Sequence, residues 1–260
     1  MSSDLFSGGD AAHRFETLYT SPKVVARRKR ALEILALRTG EHALDIGFGP
    51  GFFTSEIAET VGQTGRVDGI DSSTSMLALA AERCASYPWV SLRLGEATTL
   101  PFPDASFDVA LASNVYGYVR DIGAALHELS RVLRPGGRAL VMDFEWDSLV
   151  WHASDSARMN SIISAWKGKF DDPYFARTLR PRLHHEGFLQ EHVESIAMFS
   201  TEIDPYVQGV TSLIGAAVTG SNGVTQKEVD AWVADLSRLA AHDEYFFSLN
   251  QYLFLVRKPG

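Results

Sequence analysis

The chain is 260 residues long and carries a formal net charge of −8, with 45% hydrophobic and 22% charged residues. This length and composition predict one substantial hydrophobic core. The acidic balance argues against a nucleic-acid partner, because phosphate backbones are bound by basic surfaces. The single cysteine, Cys84, excludes an internal disulfide and a cysteine-rich zinc site. With neither a signal peptide nor an apolar run of roughly 18 residues, we expect a cytoplasmic protein without a membrane span.

Residues 1–40 are predicted to form an N-terminal helical lid. Within them Phe15, Leu18 and Tyr19 make an apolar stripe, so Tyr19 either covers a bound ligand or packs as an ordinary helix residue. Four consecutive basic residues follow, from Arg27 to Arg30. Because short basic runs are weak motifs, they are interpreted as a solvated helix face in preference to an anion or nucleic-acid contact.

Short apolar runs alternate with helical patterns over residues 41–145. The predicted strands cover 42–46, 66–70, 90–94, 107–113 and 138–144, and the helices between them cover 53–61, 73–84 and 122–133. Such alternation is typical of β-α units, whose crossovers produce a mostly parallel sheet with helices on both faces. The sequence therefore predicts a doubly wound α/β fold, Rossmann-like in its arrangement.

Residues 146–260 have a different character and are predicted to form a helical cap interleaved with the last two strands of the sheet. Those strands are expected near 191–201 and 246–257, and a helical, aromatic segment is expected at 151–170. The cap is rich in apolar residues that either line a pocket or close the core: Trp146, Trp151, Trp166, Phe170, Val210, Leu213, Ile214 and Val218. A pocket lined this way suits an aromatic, polyketide, terpenoid or quinone-like molecule.

A glycine-rich loop follows the first predicted strand, with glycines at 47, 49 and 51. Glycines there let the backbone turn sharply and approach a ligand at the carboxyl end of the strands. The dinucleotide fingerprint requires a small residue where this chain has Phe52. Asp45, two residues before the loop, would repel a pyrophosphate but could accept hydrogen bonds from an ammonium group. The loop therefore favours S-adenosyl-L-methionine (SAM) over a nicotinamide dinucleotide.

An acidic residue, Asp71, ends the second predicted strand twenty positions after Gly51. A carboxylate at that place can accept hydrogen bonds from both ribose hydroxyls. Asp68 is a nearby rival for this role, and Asp71 could instead cap the helix that starts at Ser73.

Four motifs together resemble the class I SAM-dependent methyltransferases, in the ubiquinone/menaquinone-type small-molecule group. The matching stretches are 44–51 (LDIGFGPG), 69–71 (GID), 95–108 (GEATTLPFPDASFD) and 133–137 (LRPGG). The resemblance covers roughly residues 30–145. It implies a seven-stranded sheet whose last strand is antiparallel, and SAM as the cofactor.

The resemblance also implies roles for individual residues. The methionine part of SAM would be held by Asp45, Gly47, Gly49 and Gly51, the ribose by Asp71 beside Ser72, and the adenine by Met76, Glu96 and Ala97. Asn114, Tyr116 and Tyr118 would lie where donor and acceptor meet. Apart from the resemblance, the aromatic rings of Phe15, Tyr19, Tyr116 and Trp146 are candidates to contact the sulfonium, and Tyr19 could cover it as part of the lid.

A base would help if the acceptor is a hydroxyl or an acidic carbon. We expect catalytic roles for His152, Tyr116 and Glu145, and no metal site. The predicted reaction is methyl transfer to a small apolar or aromatic metabolite, with oxygen favoured over carbon or nitrogen, by a monomer or homodimer. The alternatives are a SAM-binding protein without methyl transfer, either a binding module or a cyclase-like catalyst, and, with less support, a nicotinamide-dependent oxidoreductase.

Overall fold

The computed structural model describes residues 16–260. Its strands are β1 His42–Ile46, β2 Arg66–Asp71, β3 Val90–Leu94, β4 Phe107–Ser113, β5 Leu133–Phe144, β6 Val150–Trp151, β7 Leu189–Ser200 and β8 Phe247–Arg257. Its α-helices are α1 Pro22–Leu35, α2 Phe52–Val61, α3 Thr74–Arg83, α4 Ile122–Val132, α5 Ser156–Lys167, α6 Phe175–His185, α7 Pro205–Val218 and α8 Gln226–Ala241. Phe15 and the rest of the predicted lid before residue 16 lie outside the described residues.

The strands form one mixed sheet in the order β3-β2-β1-β4-β5-β8, with β7 on the far side of β8. The pairs from β3 to β5 are parallel, whereas β8 is antiparallel to both β5 and β7. The predicted doubly wound, mostly parallel sheet of seven strands with an antiparallel last strand is confirmed. The two-residue strand β6 is an addition that pairs with the start of β8, beyond the end of β5.

Helices cover both faces of the sheet. On one face, α1 and α2 bury Leu35 and Ile57 against strand residues such as Leu111. On the other face, α4 and α6 bury Leu129 and Leu179 against the same strands. Helix α1 thus packs on the sheet itself, although it falls within the predicted lid. None of the helices in residues 16–260 is long and apolar enough to cross a membrane.

Helices α5, α7 and α8 form a second layer of packing around Trp232, Ile162 and Ile214, all of which are buried. The helix predicted at 151–170 is shorter than expected, because Trp151 belongs to β6 and pairs with Phe247 of β8. The helix begins after Asp155, whose carboxylate accepts a hydrogen bond from the backbone N–H of Arg158. This layer shares one group of buried side chains with Trp151 of β6, Met198 of β7, and Phe247 and Leu249 of β8.

Candidate functional site

The glycine loop between β1 and α2 adopts backbone angles that favour glycine. The φ angles of Gly47, Gly49 and Gly51 are +69°, +53° and +83°. A Cβ atom on Gly47 would lie 2.3 Å from a methyl carbon of Val115, and one on Gly51 would lie 2.8 Å from the Cα of Ala80. The loop can therefore keep its shape and its close packing only with glycine at these two positions.

Asp71 connects the end of β2 to this loop. One carboxylate oxygen accepts a hydrogen bond from the backbone N–H of Gly49 at 2.8 Å, and the other accepts from the N–H of Ser73 at 2.9 Å. Burial raises the pKa of the Asp71 carboxyl above its usual range. The N-cap of α3 is Ser73, whose hydroxyl accepts from the N–H of Met76. Asp71 therefore braces the loop and the turn, while Ser73 caps the helix.

The first cavity lies along the carboxyl ends of β1, β2 and β4. It is lined by Tyr19, Ile46, Gly47, Gly49, Pro50, Ile70, Asp71, Ser72, Met76, Gly95, Glu96, Ala97, Ser113, Asn114, Val115, Tyr118 and Val119. Nine of the eleven predicted cofactor residues are brought together here. The two others, Asp45 and Gly51, are not part of the lining.

Asp45 is instead buried at the end of β1, with 2% of its surface exposed. The hydroxyl of Thr54 donates a hydrogen bond to its carboxylate at 2.6 Å. Burial raises the pKa of Asp45 to about 7. This carboxyl holds the first turn of α2 to the glycine loop and does not line the first cavity.

A second cavity adjoins the first and is lined mainly by apolar and aromatic side chains. Its walls are Leu18, Tyr19, Val24, Arg27, Asn114, Tyr118, Asp143, Phe144, Trp146, Trp166, Phe170, Tyr206, Val210, Leu213, Ile214 and Leu249. The predicted cap lining is present here except for Trp151 and Val218, which pack elsewhere in the cap.

Three residues, Tyr19, Asn114 and Tyr118, line both cavities. Tyr19 stacks on Phe52 with ring centroids 5.5 Å apart, and Tyr118 stacks on Phe170 at 4.5 Å. Asn114 has a φ of +56°, and its side-chain oxygen accepts a hydrogen bond from the buried Gln251. We call these three residues the dividing wall. It is the surface at which molecules in the two cavities would meet.

The second cavity also contains a carboxyl group at the end of β5. Asp143 accepts hydrogen bonds from the backbone N–H groups of Phe144 at 2.8 Å and Gly117 at 3.2 Å. It is only 5% exposed, and burial raises its pKa to about 7. A carboxyl group with this pKa can exchange a proton near neutral pH. Its position near the carboxyl end of the predicted strand 138–144 was the sequence signal for it.

The three residues predicted to be catalytic are not brought together at either cavity. His152 is exposed and joins the sheet through its backbone N–H, which donates to Phe246. Glu145 forms a double hydrogen bond with Arg177 at 2.6 and 3.0 Å, away from the cavity lining. Tyr116 is 1% exposed and packs among core side chains. Ion pairing, core packing and solvent exposure hold these three side chains away from the lining of both cavities.

The basic run in α1 also differs from expectation. Arg27 and Arg28 are only 5% and 4% exposed, so the solvated helix face comprises Lys29 and Arg30 alone. Arg27 and Arg28 stand three and four residues after Val24 and precede Ala31 by the same spacing. The helical period therefore places them on the buried stripe. That spacing could have identified them from the sequence.

Within residues 16–260 there is no group of three or more histidine, cysteine, aspartate or glutamate side chains that could hold a metal ion. The polar groups of the two cavities are backbone amides, hydroxyls, carboxyls, the side-chain amide of Asn114 and one guanidinium. This donor set suits an organic ligand.

Comparison with known proteins assigns the core to a known family. The family Methyltransf_11, a methyltransferase domain, matches residues 44–141. A demethylmenaquinone methyltransferase of Staphylococcus aureus is 40% identical over 116 residues, which are 45% of this chain and 48% of that protein. The chain spans about half the length of the curated relatives it matches.

Solved structures share the fold beyond the matched domain. Phosphoethanolamine N-methyltransferase 2 of Haemonchus contortus, in complex with SAM, has a TM-score of 0.66 at 21% identity, covering 100% of this chain and 60% of that chain. The cyclase SpnF has a TM-score of 0.62 at 21% identity, covering 91% of this chain and 81% of that chain. The matched methyltransferase domain favours SAM over a nicotinamide dinucleotide as the cofactor. Residues 44–141 therefore match a methyltransferase domain, and the described residues share the Rossmann-like fold of solved methyltransferases.

Proposed function

We propose that this protein transfers a methyl group from SAM to a small, apolar or aromatic metabolite, with a hydroxyl oxygen as the favoured acceptor. The observation that carries the proposal is the pair of adjoining cavities, which share the dividing wall of Tyr19, Asn114 and Tyr118. The first cavity would hold the cofactor and the second the acceptor, and we call them the cofactor cavity and the acceptor cavity. Holding two reactants in line in this way can contribute about 7–11 kcal/mol to lowering a barrier.

The residues of the first cavity suit SAM. The glycine loop presents backbone at Gly47 and Gly49, where a Cβ on Gly47 would clash with Val115. The carboxylate of Asp71 stands beside Ser72 at the end of β2, where ribose hydroxyls are bound in folds of this kind. The apolar side chains of Ile70, Met76 and Ala97 would enclose an adenine ring. These roles remain proposals that follow from the lining.

When bound, SAM supplies an electrophilic methyl group. The protein's task is then to exclude water, to orient the acceptor and to take up its proton. Asp143 replaces the three predicted catalytic residues as the proposed base, because it lines the acceptor cavity together with Asn114 and Tyr118. The O–H proton of the acceptor would pass to a carboxylate oxygen of Asp143 as the acceptor oxygen gains the methyl group.

The carboxylate oxygens of Asp143 are oriented for this step. Each already accepts one backbone hydrogen bond, from Phe144 or Gly117, which fixes the plane of the group and leaves lone pairs for a proton. The ring of Tyr118, stacked on Phe170, keeps the wall beside it apolar. Proposed in this way, the site requires neither a metal ion nor a histidine.

A direct test is incubation of the purified protein with methyl-labelled SAM and a small-molecule extract of its source cells, followed by mass spectrometry. We expect label in a small organic product and an equal amount of S-adenosylhomocysteine (SAH). Asp71→Asn should reduce labelling at subsaturating SAM, because it weakens the cofactor site. Label confined to macromolecules, or no label although SAH binds, would contradict methyl transfer to a small molecule.

The second candidate is a SAM-binding protein that does not transfer methyl groups, acting as a binding module or a cyclase-like catalyst. The shared fold with the cyclase SpnF favours keeping it. Its prediction differs in one respect: SAM binds without turnover, and an added substrate is rearranged without gaining mass. The same mass-spectrometric experiment distinguishes the two candidates, because methylation adds the mass of one CH₂ unit to the substrate and a rearrangement adds none.

A further inference from the structure

Arg27 is a buried cation without an ion-pair partner among the described residues. Its side chain is 5% exposed, and its Nε–H has no hydrogen-bond acceptor. Within residues 16–260, no carboxylate lies within 4.0 Å of its guanidinium, although many other arginines there form ion pairs. Burying a charged group without a partner is costly, so a position like this is normally compensated by a ligand or a counter-ion.

The neighbouring arginine shows that the local structure can satisfy a buried guanidinium. Arg28 donates to the carboxylate of Glu56 at 2.8 Å and to the backbone oxygen of Tyr19 at 2.7 Å. The two arginines share a helix turn and the same degree of burial. Among residues 16–260, Arg28 has protein acceptors, whereas the Nε–H of Arg27 has none, so the local structure does not explain the lack of an acceptor at Arg27.

The guanidinium of Arg27 lies against the acceptor cavity. Its central carbon is 5.4 Å from the centroid of the Phe144 ring, and Phe144 and Arg27 both line this cavity. Burial lowers the pKa of Arg27, and the nearby hydroxyls of Tyr206 and Tyr19 partly offset that effect. Both tyrosines also line this cavity. The unsatisfied charge therefore belongs to the same cavity as Asp143, with which it forms no ion pair.

We propose that the acceptor is an organic anion: an apolar ring system that carries, besides the hydroxyl to be methylated, a carboxylate, phenolate or enolate oxygen bound by Arg27. This inference rests on the proposed function and specifies its substrate class. In this arrangement Asp143 faces the acidic hydroxyl near the dividing wall, and Arg27 neutralises the second oxygen. A guanidinium and an anionic oxygen form a charge-assisted hydrogen bond, which is about twice as strong as a neutral one.

The test uses matched probes that differ only in this charge. The SAH-loaded full-length protein is titrated calorimetrically with 4-hydroxybenzoate and 1-hydroxy-2-naphthoate, and with the methyl ester of each acid. We expect at least one acid to bind about tenfold or more tightly than its ester. In Arg27→Met the acid should lose that preference, and Arg27→Lys should retain part of it.

The matched control is Arg30→Met. Arg30 lies one turn after Arg27 in α1, is exposed and pairs with Glu194. This variant should leave the preference for the acid unchanged. Failure of both acids to bind, equal binding of acid and ester, or a preference that survives Arg27→Met would each overturn the proposal. SAH affinity and label transfer are measured separately, so loss of the proposed function itself would appear in those two readouts.

Discussion

The carboxylate of Asp71 accepts a hydrogen bond from the backbone N–H of Gly49 at 2.8 Å, which joins the end of β2 to the glycine loop across the cofactor cavity. Its second oxygen accepts from the N–H of Ser73. The two oxygens have about four lone-pair sites, and the backbone N–H groups of Gly49, Ser73 and Ser72 use three of them, so at least one can accept a hydrogen bond from a ligand. Asp71 therefore shapes the loop and keeps an acceptor for the proposed ribose contact.

Replacing Asp71 by asparagine removes the charge and one acceptor while preserving shape. We expect the Kd for SAH to rise about tenfold or more, since hydrogen bonds to charged groups are worth about 1.5–3 kcal/mol. The control is Asp68→Asn, the rival on the same strand, which is paired with His42 and two arginines and lines neither cavity. That variant should lower thermal stability and leave SAH affinity unchanged. The reverse pattern would contradict the assignment of Asp71.

Gly47→Ala tests the requirement for glycine in the loop. The new Cβ would lie 2.3 Å from Val115 and would force an alanine into a φ of +69°. We expect a loss of at least about 1–3 kcal/mol in the free energy of unfolding, together with loss of SAH binding. Gly136→Ala is the matched control, because its φ is +76° but its new Cβ would meet nothing within 4 Å beyond the adjoining residues. It should lose only about 1 kcal/mol and bind SAH normally.

Asp143→Asn tests the proposed base. The rate of transfer should fall about 10²–10⁴-fold with SAH affinity unchanged, because a positioned base contributes on that order. In the wild type the rate should rise with pH through about 7, as the carboxyl of Asp143 loses its proton. The variant should lack this acid limb. A wild-type limb that persists in Asp143→Asn would assign the titration to another group.

The groups around Asp143 bear on this pH dependence. Asp172 raises its pKa, while the N–H groups of Phe144 and Gly117 lower it. Tyr118 lies close to Asp143, and the charge of Asp143 adds to burial in raising the pKa of the Tyr118 hydroxyl. Arg27 lines the same cavity, and an anion bound there would add negative charge. The limb should therefore shift to higher pH when an anionic acceptor is bound.

The same carboxyl makes a prediction for stability. Its pKa is raised from 3.8 to about 7 in the folded protein, so the folded state binds the proton more tightly than the unfolded state. Its contribution is fully present below about pH 4 and is lost as the pH rises through 7. Asp143→Asn should therefore match the wild type near pH 4 and exceed it above pH 7, by at most about 4 kcal/mol. Chemical denaturation of both proteins across this pH range measures the difference in the free energy of unfolding. Equal stability of the wild type and the variant at every pH would contradict the prediction.

Much of the sheet and of the cofactor cavity could be predicted, because both depend on local sequence. Hydrophobic alternation marks β1 to β5 to within a few residues, and the glycines at 47 and 49 and Asp71 lie within short motifs next to strands. Asp45 belongs to the same motif, yet the structure buries it under Thr54. Motif position located the loop but could not distinguish a lining side chain from one beneath it.

The acceptor cavity could not be predicted in the same way, because its walls come from distant segments. Arg27, Asp143 and Tyr206 are far apart in the sequence and meet only when α1, β5 and α7 pack together. His152 and Glu145 both follow β5, whose carboxyl end lies at the acceptor cavity. Their side chains turn to solvent and to Arg177, which depends on tertiary contacts that no local pattern encodes.

Arg27 and Arg28 provide a final prediction in which neighbouring substitutions act in opposite directions. Arg27→Met removes a buried charge that has no ion-pair partner within residues 16–260 and keeps an unbranched apolar chain, so the unliganded protein should become more stable. A gain of about 1 kcal/mol would raise Tm by about 2–4 °C in a chain of this size. Arg28→Met instead breaks the hydrogen bonds to Glu56 and the backbone of Tyr19, and it should lower stability by about 1–3 kcal/mol. Thermal and denaturant unfolding of the ligand-free variants measure both changes. If Arg27→Met were as destabilising as Arg28→Met, the protein itself would be satisfying that charge, and no anionic ligand would be needed to explain it.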